Sequence, residues 1–147
     1  MAIIHENVAG DTSPIASIII VNFNQVNLLA ACLQSVENQE FRDFEVIVVD
    51  NGSVDGSVEM VRRRWPEARV VENRENRGFC GANNQGFAAA RGRYRVLLNN
   101  DAEAGRNWLG ELVREAEAHP AAGMVGAKIY VYGTERTFDK AGHLLYW

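Results

Sequence analysis

The sequence predicts an α/β fold, a mainly parallel sheet with helices on both faces, and three observations lead to it. Four short apolar segments rich in β-branched residues, 15–21, 44–49, 68–71 and 94–98, alternate with stretches of helical periodicity. Each apolar segment is followed by Asn, Asp or Glu, the pattern of strands that end at a polar rim. A length of 147 residues with 47% hydrophobic and 23% charged residues suits one globular core.

Residues 1–14 are polar, contain glycine and show no sustained period, so they read as a flexible N-terminal arm, with the domain at 15–147. After the first strand, Leu28, Leu29, Cys32, Leu33 and Val36 recur at helical spacing and form one apolar stripe, which places Cys32 in the core. A second helix is expected over 57–65. Ser57 reads as its N-cap, Glu59 sits in the positive first turn, Arg62, Arg63 and Arg64 lie near the negative end, and Pro66 stops it. A third helix is expected over 82–90, ended by Gly92, and a fourth over 108–118 ahead of Pro120. Residues 124–132 and 137–147 read as further strands. Strand alternating with helix implies parallel pairing with both sheet faces covered.

Fifteen Lys and Arg against nineteen Asp and Glu give a net charge of −4, which argues against nucleic acid as a partner because such binding rests on surplus basic residues. Cys32 and Cys80 form no CxxC pair, so neither a zinc knuckle nor a disulfide framework is implied; free thiols fit a cytoplasmic chain. His5, His119 and His143 have no metal-ligand spacing. The longest apolar run, 15–21, is too short to span a bilayer, and 1–14 lacks the pattern of a signal peptide.

The strand ends carry Asn22, Phe23 and Asn24; Asp50 and Asn51; Glu72 and Asn73; and Asn99, Asn100 and Asp101. Amides and carboxylates gathered on one rim suit a ligand rich in hydroxyl, amide and imide groups, such as a nucleoside, together with a metal ion. Asn and Asp also favour turns, but their presence at four ends of one chain weights the pattern towards a site. No glycine follows the first strand, which excludes the dinucleotide-binding and Walker A loops there. Asp50 fits two roles equally, a turn residue or an acceptor for a base imide or ribose hydroxyl. Asp101 is the sharpest metal-ligand candidate, because Mg2+ or Mn2+ bridging phosphates takes only one or two protein carboxylates. Glu103 is a further candidate if the chain stays extended, and otherwise an exposed loop acid.

Four segments, IIVNFN at 19–24, VVDNGSVDGS at 48–57, NRGFCGANNQG at 76–86 and LLNND at 97–101, together resemble the family 2 glycosyltransferases, especially the rhamnosyltransferase-like branch. The resemblance implies the GT-A fold, a Rossmann-like three-layer sandwich, and a donor that is a UDP- or dTDP-linked sugar bound with Mn2+ or Mg2+. It implies that Asn22, Phe23 and Asn24 line the nucleoside pocket and that Asp50 contacts base or ribose, while Ser53 and Asp55 shape the turn. Asn76, Gly78, Asn83 and Asn84 match the loop and helix start that close over the nucleotide, with Arg77 approaching there. Asn99 and Asp101 match the family's DxD site, which implies nucleotide-sugar contacts for Asn99 and Asn100 and the metal-binding place for Asp101. Asn99 replaces the first acid and leaves Asp101 as the main anionic ligand.

The same resemblance implies transfer with inversion to a saccharide or lipid-linked acceptor in cell-envelope polysaccharide synthesis, by a cytoplasmic enzyme peripheral to the inner membrane face. Inversion needs a general base. Glu135 and Asp139, the only acids after Gly126, match no base motif, so the catalytic residue is unassigned and the chain reads as the donor-binding part of a longer protein. The alternative is a non-catalytic nucleotide-sugar-binding or interaction module of the same fold.

Overall fold

The computed structural model describes residues 2–5, 13–134 and 137–140. Its main sheet has six strands in the order β4-β3-β2-β5-β1-β6. The parallel part consists of β2 (Ala16–Asn22), β3 (Phe44–Asp50), β4 (Arg69–Glu72) and β5 (Tyr94–Leu97). β1 (Ala2–His5) runs antiparallel to both β5 and β6 (Met124–Gly126). β7 (Ile129–Tyr130) and β8 (Phe138–Lys140) form a separate antiparallel pair.

Side-chain alternation on β2 explains the layering. Ile18 and Ile20 face one side, where α1 (Val26–Glu37), α2 (Ser57–Arg64) and α4 (Trp108–Ala118) contribute Leu29, Cys32, Val61 and Leu109 to the larger core. Ile19 faces the other side with Ile47 and Val49, against Ala82 of α3 (Gly78–Ala89). Burial on both faces is why these strands are continuously apolar rather than alternating.

The structure departs from the sequence expectations at several places. Residues 2–5 are not part of a free arm; they fill a position between β5 and β6, a pairing with partners as distant in sequence as Val96 and Gly126 that no local pattern encodes. Ser57 is the first residue of α2, not its cap: Gly56 holds the cap position at φ 84°, a left-handed conformation suited to glycine. α3 starts at Gly78, four residues before its expected start, because the two glycines of the GFCG turn disguise a helical segment. Residues 124–132 split into β6 and β7, and of the strand expected over 137–147 the part at 141–147 lies outside the described residues.

Two close contacts tie the layers together. A Cβ on Gly86 would stand 2.3 Å from Cγ2 of Ile19, so α3 rests directly on β2. At the amino edge of the sheet, Glu45 accepts hydrogen bonds from the Ser17 hydroxyl (2.7 Å), the Arg91 backbone N–H (2.7 Å) and the Arg91 guanidinium (2.8 and 3.0 Å). Burial pushes the Glu45 carboxyl up, but these hydrogen bonds and the Arg91 charge outweigh it and hold the carboxyl below the usual glutamate value.

Gly86→Ala is expected to destabilise the fold by about 1–3 kcal/mol in chemical denaturation, the usual effect of overpacking a filled interface. Because the folded-state pKa of Glu45 is depressed, its contribution is complete above the unfolded-state value and is lost as pH falls through the folded one. Glu45→Gln should therefore lower the melting temperature at neutral pH and flatten its decline on acidification.

Candidate functional site

The register places the strand ends level, with Asn22 opposite Asp50 and Asp50 opposite Glu72. Beyond this edge lies a cleft of about 320 Å³. Val21, Leu97 and Leu98 give it apolar wall; Asn51, Asn76, Asn83, Asn99, Asn100 and Asp101 give it polar groups. The rings of Phe23 and Phe79, 44% and 63% exposed, and the Gln25 side chain complete the lining.

Of the residues singled out in the sequence, Phe23, Asn76, Asn83, Asn99, Asn100 and Asp101 are thus brought together. The others are arranged around them. Asn22 is fully buried beneath the cleft, donating to Asp50 Oδ1 (3.2 Å) and Ser53 Oγ (3.2 Å) and accepting from Asn100 Nδ2 (2.9 Å). Asp50 is buried as well, and its Oδ2 accepts the Ser53 backbone N–H at 2.8 Å. Asn24 stands outside the cleft at φ 51°; its N–H donates to Ser53 Oγ and its Oδ1 accepts from the Val54 N–H, joining two loops. Ser53 and Asp55 are structural, as their place in the turn implied.

Gly78 opens α3 at φ 73°, and Arg77 precedes it with its backbone N–H on Asn51 Oδ1 (2.9 Å) and an exposed side chain. Asn84 and Glu103 are exposed and do not line the cleft. Asn51, a strand-end residue given no role from sequence, uses all its amide valences. Its Nδ2 donates to Asn76 Oδ1 (2.8 Å) and Gly78 O (3.4 Å), and its Oδ1 accepts from Asn73 Nδ2 (3.1 Å) and the Arg77 N–H. Phe79 and Gln25 carried no sequence signal, since the first hides in a glycine-rich turn and the second in an uncapped helix start.

Asp101 makes no hydrogen bond or ion pair with any described residue, so its carboxylate is free at the rim. Its charge is felt locally. The buried Cys32 thiol is pushed up to about 12 by burial first, and then by the negative charges of Asp101 and Glu103. No group of three or more His, Cys, Asp or Glu gathers among the described residues, so there is no closed protein cage for a metal. The donor set fits an open site instead. One hard carboxylate beside a roomy polar cleft matches a divalent cation that completes its shell with phosphate and water.

Residues 17–146 match the family described as Glycosyl transferase family 2, and the chain belongs to that family. The succinoglycan biosynthesis protein ExoO of Rhizobium meliloti is 30% identical over 109 residues, covering 74% of this chain and 31% of that protein. The mannosyltransferase PcManGT from Pyrobaculum calidifontis, solved in complex with GDP-Man and Mn2+, superposes with a TM-score of 0.58 at 31% identity, over 67% of this chain and 31% of that one. S. aureus TarS in complex with UDP-GlcNAc superposes with a TM-score of 0.66 at 24% identity, over 71% and 32%. The fold is that of the GT-A glycosyltransferases. The chain spans 14 to 40% of the length of eight curated relatives that it matches.

The thiols should separate cleanly in a labelling experiment. Cys80 is exposed and Cys32 is buried with a raised pKa, so a thiol reagent at neutral pH should modify Cys80 in the native protein and Cys32 only after denaturation.

Proposed function

We propose that the cleft is the donor site for a nucleoside diphosphate sugar, bound with a divalent cation at Asp101, whose sugar passes to a hydroxyl of a saccharide or lipid-linked acceptor while the nucleoside diphosphate leaves. The observation that carries this reading is the free Asp101 carboxylate at the rim of a cleft otherwise lined by amides, apolar wall and two exposed aromatic rings. Asn76, Asn83 and Asn99 offer amide groups to base, ribose or sugar hydroxyls, and Phe23 and Phe79 offer flat apolar faces. Arg77 and the start of α3, between Asn76 and Phe79, lie where positive charge favours an anionic phosphate. Asn22 and Asp50 act from beneath by fixing the rim.

Asp101 is the residue that would hold the cation, with Glu103 the next acid along the loop; when bound, Mn2+ or Mg2+ supplies Lewis-acid neutralisation of the leaving diphosphate. Support comes from the mannosyltransferase at 31% identity, which holds GDP-Man and Mn2+. UDP- and dTDP-linked donors are the proposed classes, and UDP-GlcNAc on TarS supports the first. A relative named for succinoglycan biosynthesis supports a polysaccharide acceptor. A lipid-linked acceptor would bring the protein to the inner membrane face from the cytoplasm; no helix among the described residues is long and apolar enough to cross a membrane. Inverting transfer requires a general base, and no residue of this chain is assigned that role.

Calorimetry with UDP, dTDP and GDP, each with and without Mn2+, tests the reading. At least one should bind more tightly with Mn2+, and Asp101→Ala should remove about tenfold or more of that metal-dependent affinity. Absence of nucleotide binding, or an unchanged metal effect in Asp101→Ala, would overturn it. Binding without transfer or sugar-nucleotide hydrolysis in the full-length protein would favour the non-catalytic binding module.

A further inference from the structure

We infer that Ser35, in the last turn of α1, and Gln39, two residues beyond that helix, neither of them touching the cleft, are positioning residues that hold the Asp101 segment in its cation-ready shape. The inference rests on the donor-site reading above. The connection from β5 to α4, residues 98–107, has no regular secondary structure, yet it carries Asp101 and Glu103. Its own backbone supplies little restraint, an Ala102 N–H to Asn99 O bond of 3.2 Å and a Trp108 N–H to Gly105 O bond of 2.9 Å. Its first residues are held by Leu98 N–H on Ile19 O (3.0 Å) and by the Cys32 thiol on Asn99 O (3.4 Å), and the stretch after Asp101 is held from the end of α1 and the residues just beyond it.

The Ser35 hydroxyl accepts the Ala104 backbone N–H at 2.9 Å while donating to Cys32 O at 2.6 Å, so its proton direction is set by the helix and its lone pair by the loop. Gln39 has no exposed surface. Its Nε2 donates to Gly105 O (2.8 Å) and Ser35 O (3.1 Å), and its Oε1 accepts the Leu109 N–H (3.0 Å) in the first turn of α4, which has no side-chain cap of its own. Next to it, the Glu40 N–H donates to Arg106 O at 3.0 Å. On the cleft side, Asn100 Nδ2 on Asn22 anchors the other end of the segment.

Asp101 and Glu103 therefore project from a strand of backbone pinned on both sides while their own carboxylates stay uncommitted. A segment ordered during folding does not have to be ordered again when a cation and diphosphate arrive, so these anchors raise affinity without touching the ligand. Each is uncharged, so neither adds to the negative field that Asp101 and Glu103 already create.

The test is calorimetry on the full chain with whichever of UDP, dTDP or GDP the wild type binds, with and without Mn2+, beside melting curves. Ser35→Ala should weaken binding in Mn2+ by about three- to tenfold, the effect of one hydrogen bond, and leave the metal-free affinity unchanged. Gln39→Ala should do the same or more, and Ser35→Thr, which keeps the hydroxyl, should restore the wild-type ratio. Val113→Ala, in the core face of α4, should lower the melting temperature and leave the metal effect intact. A wild-type metal effect in both Ser35→Ala and Gln39→Ala, or an equal loss in Val113→Ala, would overturn the inference. A wild type with no metal-dependent binding would overturn the donor-site reading itself.

Discussion

The carboxamide of Asn22 is the interaction on which the carboxyl edge of the sheet depends. It has no contact with solvent, and its atoms meet Asp50 at the end of β3, Ser53 just after it and Asn100 after β5, while the Asn22 backbone carbonyl accepts the Asn51 N–H at 2.8 Å. A buried amide left unpaired costs about 1–3 kcal/mol, so its partners are fixed in place as firmly as it is. Three strand exits are thereby locked in one arrangement. Everything that faces the cleft, from Phe23 round to Asp101, is mounted on backbone that this side chain and its neighbours have already set.

A second shared group extends the arrangement to the helices. Asp55 accepts the Val26 N–H at the start of α1 with one oxygen (2.8 Å) and the Ser57 N–H and hydroxyl at the start of α2 with the other (3.1 and 2.5 Å). Neither helix has a side-chain cap from its own N-cap residue, so one carboxylate serves both. Burial pushes the Asp55 carboxyl up, but the bonds from Ser57 and Val26 prevail and its pKa is lowered. On the opposite side, Asn73 exchanges two 2.8 Å bonds with Gln85 of α3 and passes a third to Asn51, which in turn sets the start of that helix at Asn76 and Gly78.

Much of this was legible in the sequence because local pattern and global fold agree. The order of strands and helices follows from β-branched runs, apolar stripes and breakers such as Pro66, and α4 occupies the expected residues 108–118. Strand β1 was not legible, because four residues without a turn signal gain their place only through partners distant in sequence. In the site, residue type was legible and atom use was not. Asn24 and Asn99 look alike in sequence, but the first spends its side chain on Val54 whereas the second lines the cleft. Phe79 escaped notice for a similar reason: the glycines on either side suggested a turn, and only the helix start at Gly78 turns its ring to the mouth of the cleft.

The distinction between committed and uncommitted polar atoms also separates the two edges of the sheet. At the amino edge Glu45 is consumed by Arg91, Ser17 and backbone, and Gly92 donates its N–H to Ser17 Oγ at 2.8 Å, so little remains there to recognise a ligand. At the carboxyl edge the amides of Asn51 and Asn73 pair with each other and that of Asn22 pairs with Asp50, Ser53 and Asn100, which is what permits polar side chains to be buried there at all. Once that network is complete, Asp101 is left over, with no partner among the described residues. A carboxylate that the fold does not use is free to answer to a cation, and its position can still be exact to the extent that uncharged anchors hold the backbone behind it. On the proposed reading, recognition chemistry and folding chemistry thus fall to different atoms of the same short loops.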